Sequence, residues 1–182
     1  MARATFALIQ ALRTTAARLE SSAVIYRWSS YGQCNCGHLS QTVSGLTGGE
    51  IQERAYRHEG DWADRAAAHP ALASGALEHP RPDYGDRPAL DEGAWEPEDI
   101  GACAATGAAV NDLLDGLYDV GLSAQDVALL ERLADPAVRE RLGVGAGYFA
   151  HYERDNVVRY MRAWAELLEE QLDPGAIFIA AE

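Results

Sequence analysis

The chain contains no lysine: all 15 of its basic residues are arginine, set against 28 acidic residues, for a net charge of -13. A surface so short of positive charge repels phosphate backbones, which argues against nucleic acid as a partner. Acidic surfaces without Lys suit a salt-rich interior, where exposed carboxylates stay hydrated and their mutual repulsion is screened. A GC-rich genome, whose codons favour Ala, Gly and Arg, accounts for the same composition, and the sequence leaves both explanations standing.

Long hydrophobic runs are missing too. The longest stretch free of Asp, Glu, Lys and Arg, Trp28 to Gly49, holds too much Ser, Gln, Asn, Thr and Gly to span a bilayer, so no membrane partner is expected. Nothing in the opening residues resembles a secretory signal. Met1 to Leu19 carries Arg3, Arg13 and Arg18 without an acid, in the manner of a transit peptide, but its apolar positions are those of a structural helix. Cysteine is scarce. Three residues, an odd number, do not imply a disulfide framework, and a reducing cytoplasm with free thiols is the expected setting. Convincing paired strands are also lacking, since Ala23–Trp28 is β-branched and aromatic but has no partner and reads as an extended lead into the next segment.

What is present is helical periodicity. At 182 residues the chain fits one domain able to bury roughly 70% of its unfolded surface without help from metal or disulfides. Phe6, Ile9, Leu12, Ala16 and Leu19 form one apolar stripe. Asn35 can cap a second helix with Leu39, Val43 and Leu46 inward, and Thr47-Gly48-Gly49-Glu50 has capping-box spacing ahead of Ile51, Ala55 and His58. Gly60 interrupts, and Asp61 caps a turn starting at Trp62.

His69 to Gly101 holds five of the seven prolines and little periodicity, and reads as a long loop or excursion packed back through Tyr84 and Trp95. Its His69 and His79, each before a proline, read as exposed. Thr106 then caps a helix with Val110, Leu113, Leu114 and Leu117 inward, Ser123 caps another with Val127, Leu130 and Leu133, and Asp135-Pro136 opens a short one ended by Gly143. Gly143 to Gly147 reads as a flexible joint. The last helix, about Tyr152–Leu172, turns Val157, Met161, Trp164, Leu168 and Leu172 inward and leaves Glu166, Glu169 and Glu170 to solvent, until Asp173-Pro174-Gly175 stops it. The expectation is an all-α single domain over 1–182, a bundle of about six helices with 69–101 as its long loop.

The uncharged stretch carries the chemistry. Cys34-Asn35-Cys36-Gly37-His38 offers two thiols and an imidazole on a turning segment at a helix N-terminus, the soft ligands that zinc or iron prefers. Cys103, near the start of the helix capped at Thr106, would complete a tetrahedral zinc site of Cys34, Cys36, His38 and Cys103, with His58 and Asp61 as other fourth ligands. Small cysteines that merely fill the crowded start of a packed helix, with His38 bonded to a loop carbonyl, account for the same residues, and the chain would then be a protein-interaction or small-ligand module.

Tyr31-Gly32-Gln33-Cys34 also looks like the active-site opening of the cysteine- and histidine-dependent amidohydrolase and peptidase family, which implies Cys34 as a nucleophile with His58 or His151 as base and Asp61 as its support. That family follows its Cys with a β-sheet bearing the catalytic His, and here helices follow. More broadly, Cys34 to Leu39, Gly60-Asp61-Trp62 and Thr106-Gly107 resemble stretches shared by uncharacterised bacterial proteins, a likeness that implies a common fold and no activity. The identity of a small-molecule or protein partner and the formation of a homo-oligomer are left open.

Overall fold

The computed structural model describes residues 2–21, 23–55, 60–73, 100–145 and 147–172, and for 100–109 the backbone alone. Among these residues nine helical segments follow in order: α1 (Phe6–Glu20), α2 (Asn35–Ser44), α3 (Gly48–Ala55), α4 (Trp62–Ala67), α5 (Pro70–Ala73), α6 (Ile100–Asp119), α7 (Ala124–Arg132), α8 (Pro136–Arg141) and α9 (Arg154–Leu172). Six of them run eight residues or more, and no strand occurs among the described residues, so the domain is all-α.

Most helix starts follow from local chemistry. The Thr5 side chain accepts the Leu8 N–H at 3.0 Å, Thr47 and Glu50 exchange backbone and side-chain bonds across the start of α3, Asp61 and Asp64 form a reciprocal box at α4, Ser123 and Asp126 another at α7, and Asp135 caps α8 with proline behind it. Two starts differ from expectation. The cap of α2 is Cys34, one residue earlier than expected, because the Asn35 side chain is drawn away to α7. Helix α6 begins at Ile100, so Thr106 lies inside it rather than capping it, and Cys103 sits in its first turn.

The core is formed by the expected stripes. Ile9, Leu12, Ala16 and Leu19 of α1 are buried against Val157, Met161, Trp164 and Leu168 of α9, and these two helices make the most extensive pairing in the molecule. They run antiparallel, as ion pairs Arg13–Glu169 and Glu20–Arg162 require. Helix α2 packs against α1, α3, α6 and α7, and α4 lies on α7.

Some residues depart from their expected positions. Phe6, at the start of α1, is 73% exposed and Leu172, at the end of α9, is 50% exposed, although both belong to stripes expected to face inward. His69 is buried, not exposed: its ring stands edge-on to Tyr118 and its Nε2 lies 3.3 Å from Asp115 of α6, while Pro70–Ala73 form a helical turn at the start of the expected loop. Gly143 and Gly145 have positive φ as a joint would, yet Arg139 donates to the carbonyls of Gly145 and Gly147 and holds that turn. Tyr84, Trp95, His58 and His79 lie outside the described residues, as does the Asp173-Pro174-Gly175 stop.

Candidate functional site

The N-terminus of α2 is packed on all sides, and the chain reaches it through a close backbone approach. A Cβ on Gly37 would lie 2.2 Å from the Tyr31 carbonyl oxygen, and one on Gly32 would lie 1.9 Å from the Gly48 carbonyl oxygen. Only glycine fits at either point. Cys34 is the N-cap: its sulfur accepts the Gly37 N–H at 3.4 Å and its thiol donates to the Tyr31 carbonyl at 3.5 Å. That carbonyl also accepts the indole N–H of buried Trp62 at 3.0 Å, and the Tyr31 and Trp62 rings lie 4.8 Å apart.

The next three side chains diverge. Asn35 sends its amide to the carbonyls of Glu131 (2.9 Å) and Leu130 (3.3 Å) at the C-terminal end of α7, and to that of His151 (3.3 Å). Cys36 donates its thiol to the Val127 carbonyl on α7 at 3.5 Å. His38 turns the other way, its Nε2 lying 3.2 Å from the Ile25 carbonyl in the lead segment. A carbonyl only accepts, so Nε2 carries the proton and Nδ1 is the acceptor, facing donors on Gln41 at 3.3 Å and Arg18 at 3.4 Å.

Electrostatics follow from this burial. Desolvation pushes the Cys34 thiol up to about 12, against a smaller pull from the Gly37 N–H, and pushes Cys36 well above the ordinary thiol range with Glu131 adding to it. Both sulfurs are therefore thiols at neutral pH, and the helix N-terminus does not make Cys34 a thiolate. Burial, then the Arg18 charge, holds His38 down to about 4, so its ring is neutral. Of the residues expected to assist Cys34 as a nucleophile, His151 and Asp61 are described and both have other partners. His38 is engaged elsewhere, His151 packs on Trp28 and Tyr152, and Asp61 caps α4 and pairs with Arg132 at 3.0 Å.

The structure brings Cys34 and Cys36 into one buried cluster with Tyr31, Trp62 and Glu131, and leaves His38 outside it. Among the described residues no three His, Cys, Asp or Glu side chains gather as a metal would require. The Nδ1 of His38, the atom a metal would use, faces the Gln41 amide and the Arg18 guanidinium. The side chain of Cys103 is outside the described residues.

Sequence reasoning overlooked one residue here, and the lead segment Ala23–Trp28, expected to wall the site with its side chains, supplies another. Glu131, 4% exposed, accepts the Ala63 N–H at 2.8 Å, and burial with the Asp61 charge pushes its carboxyl up to about 7. The signal was available: position 131 is one helical turn beyond Val127, on the stripe that faces inward. Tyr26 is the other. Its hydroxyl is shared between Asn35 Oδ1 (2.7 Å) and the His151 carbonyl (3.1 Å), which ties the lead segment and the start of α9 to the motif.

Those ties shape a surface. Trp28 stacks edge-on with His151 at 4.8 Å and carries the Arg132 guanidinium over its ring at 5.9 Å; Tyr152 follows His151, and its hydroxyl bonds that of Tyr148 at 2.9 Å. Tyr148 and Tyr152 are 80% and 51% exposed. Comparison with known proteins finds no family model, no curated protein and no solved structure that this chain matches.

Proposed function

We propose that the chain is a protein-interaction or small-ligand module in which Cys34, Cys36 and His38 are structural. The observation that carries this reading is the divergence of the motif: the three side chains are committed to the carbonyls of Tyr31, Val127 and Ile25, in three different parts of the fold. A ligand set for zinc needs its donors turned to one point with their lone pairs free. In this reading the motif is the keystone that joins α2, α7, the lead segment and the approach to α9. The aromatic ledge of Trp28, His151, Tyr152 and Tyr148, held by Asn35 and Tyr26, is the face offered to a partner, since Trp and Tyr supply large contact area at small entropic cost.

Metal content decides between this reading and a zinc protein closed by Cys103. Protein purified without a histidine tag is expected to hold far less than one equivalent of zinc or iron, and its melting temperature is expected to be unmoved by a strong chelator. One equivalent of metal, lost in both Cys36→Ser and Cys103→Ser, would overturn the proposal.

A further inference from the structure

We propose that the aromatic ledge takes an acidic peptide segment, whose apolar side chains pack on Tyr148 and Tyr152 and whose carboxylates pair with Arg139 and Arg159. This rests on the reading of the ledge as the face offered to a partner. Both guanidiniums lie over the ring of Phe149, at 6.0 Å and 5.7 Å from its centroid, and Phe149 itself is buried. Arg139 reaches the ledge directly, since it donates to the carbonyl of Gly147, in the peptide that leads into Tyr148.

Charge distribution says what belongs there. From Arg132 to Arg162 the chain carries six arginines against four acids, whereas its other residues carry nine arginines against 24 acids. Four of the six are met by carboxylates: Arg132 by Asp61, Arg141 by Glu166 and Glu170, Arg154 by Asp155, and Arg162 by Glu20. The two left without a carboxylate among the described residues are the two on Phe149. Arg139 commits its N–H groups to the carbonyls of Leu133, Gly145 and Gly147, and Arg159 has no hydrogen bond or ion pair among the described residues. Of the acids in this stretch, Asp135 is buried as the cap of α8, Asp155 faces Arg154, and Glu153 accepts the Asn156 amide.

A guanidinium held against an aromatic ring and lacking a counterion suits a carboxylate, which it can meet with two parallel N–H groups. The net charge of -13 does not forbid the approach. At physiological ionic strength the Debye length is about 8 Å, so a carboxylate on the ledge senses these arginines before the acids elsewhere. A long polyanion is a poorer match, because a nucleic acid would run its regular phosphates out onto the acidic surface.

NMR titration of the full-length protein with a short peptide of Ser-Glu-Leu-Glu repeats tests this. At physiological salt the peptide is expected to shift the amides of Tyr148 to Tyr152 and the Nε–H of Arg159, with a dissociation constant on the order of 100 µM. Its counterpart with Gln in place of Glu is expected to bind about tenfold more weakly. Both Tyr148 and Arg159 are exposed, so their variants are expected to fold; Tyr148→Ala should weaken binding about tenfold and Arg159→Gln about threefold. Ledge resonances unmoved by the Glu peptide, undiminished binding in Arg159→Gln, or a preference of the ledge for a Lys peptide or for oligothymidylate would overturn the proposal. Equal binding of the Gln peptide would also overturn it while leaving the ledge a docking face. A protein that holds a metal equivalent and still prefers the Glu peptide would do the reverse, ending the structural reading of the cysteines and sustaining this one.

Discussion

Two buried titratable side chains near α2 work against each other. Glu131 has a carboxyl raised from its ordinary 4.5 to about 7, and His38 an imidazole lowered from 6.5 to about 4. For Glu131 the folded state holds the proton more tightly, so its contribution is fully present below pH 4.5 and is lost as pH rises towards 7. For His38 the folded state favours the neutral ring, so its contribution is present above pH 6.5 and is lost as pH falls towards 4. The two shifts are similar in size, each on the order of 3 kcal/mol, and opposite in sign. Over pH 4.5–6.5 they should largely cancel in the parent protein. Glu131→Gln, which keeps an acceptor for the Ala63 N–H, should leave a melting temperature that climbs with pH across this window, and His38→Gln one that falls. Parallel profiles for parent and both variants would refute the assignment.

At the scale of the element, α2 depends on how closely its first turn approaches the Tyr31–Gly32 backbone. A methyl group on Gly37 meets a carbonyl oxygen at 2.2 Å, whereas one on Gly45, the left-handed cap at the other end of α2 with φ of 74°, meets nothing within 4 Å. Gly37→Ala is therefore expected to cost about 3 kcal/mol, through overpacking against atoms that cannot give way, and Gly45→Ala about 1 kcal/mol, through backbone strain alone. Urea unfolding midpoints of the two variants check the order, and a Gly37→Ala midpoint no lower than that of Gly45→Ala would contradict it. The same helix shows what is legible in an element. Capping at Thr47, Asp61, Ser123 and Asp135 could be read because donor and acceptor lie within four residues of each other. The cap at Cys34 could not, because it depends on Asn35 being recruited by the carbonyl end of α7, 95 residues away.

For the whole molecule, 28 acidic residues against 15 arginines leave a net charge of -13, and the paired carboxylates Glu20, Glu169 and Glu170 account for only part of the acidic face. Self-repulsion on that scale weakens the compact state and is relieved by screening. If the composition is an adaptation to salt, melting temperature should rise in chloride as well as in sulfate, well above physiological ionic strength. A profile flat in chloride and rising only in sulfate would leave codon usage as the source of the missing lysine. No helix among the described residues is long and apolar enough to cross a membrane, so this charge is carried by a chain with no helical span among them.

Class of fold, helix stripes and most helix starts were determined by the sequence itself, because each rests on contacts between residues a turn or two apart. Val157, Met161, Trp164 and Leu168 had to share a face whatever covered it. What tertiary structure alone decided is which polar residues are covered and where they point. Cys34, Cys36 and His38 lie within five residues and invite one centre, yet the close packing of α2 between α7 and the lead segment sends their side chains to different carbonyls. His69 and Glu131 are buried and Phe6 is left outside for the same reason. Burial is a property of the neighbour that arrives from far along the chain, and no local pattern records its arrival.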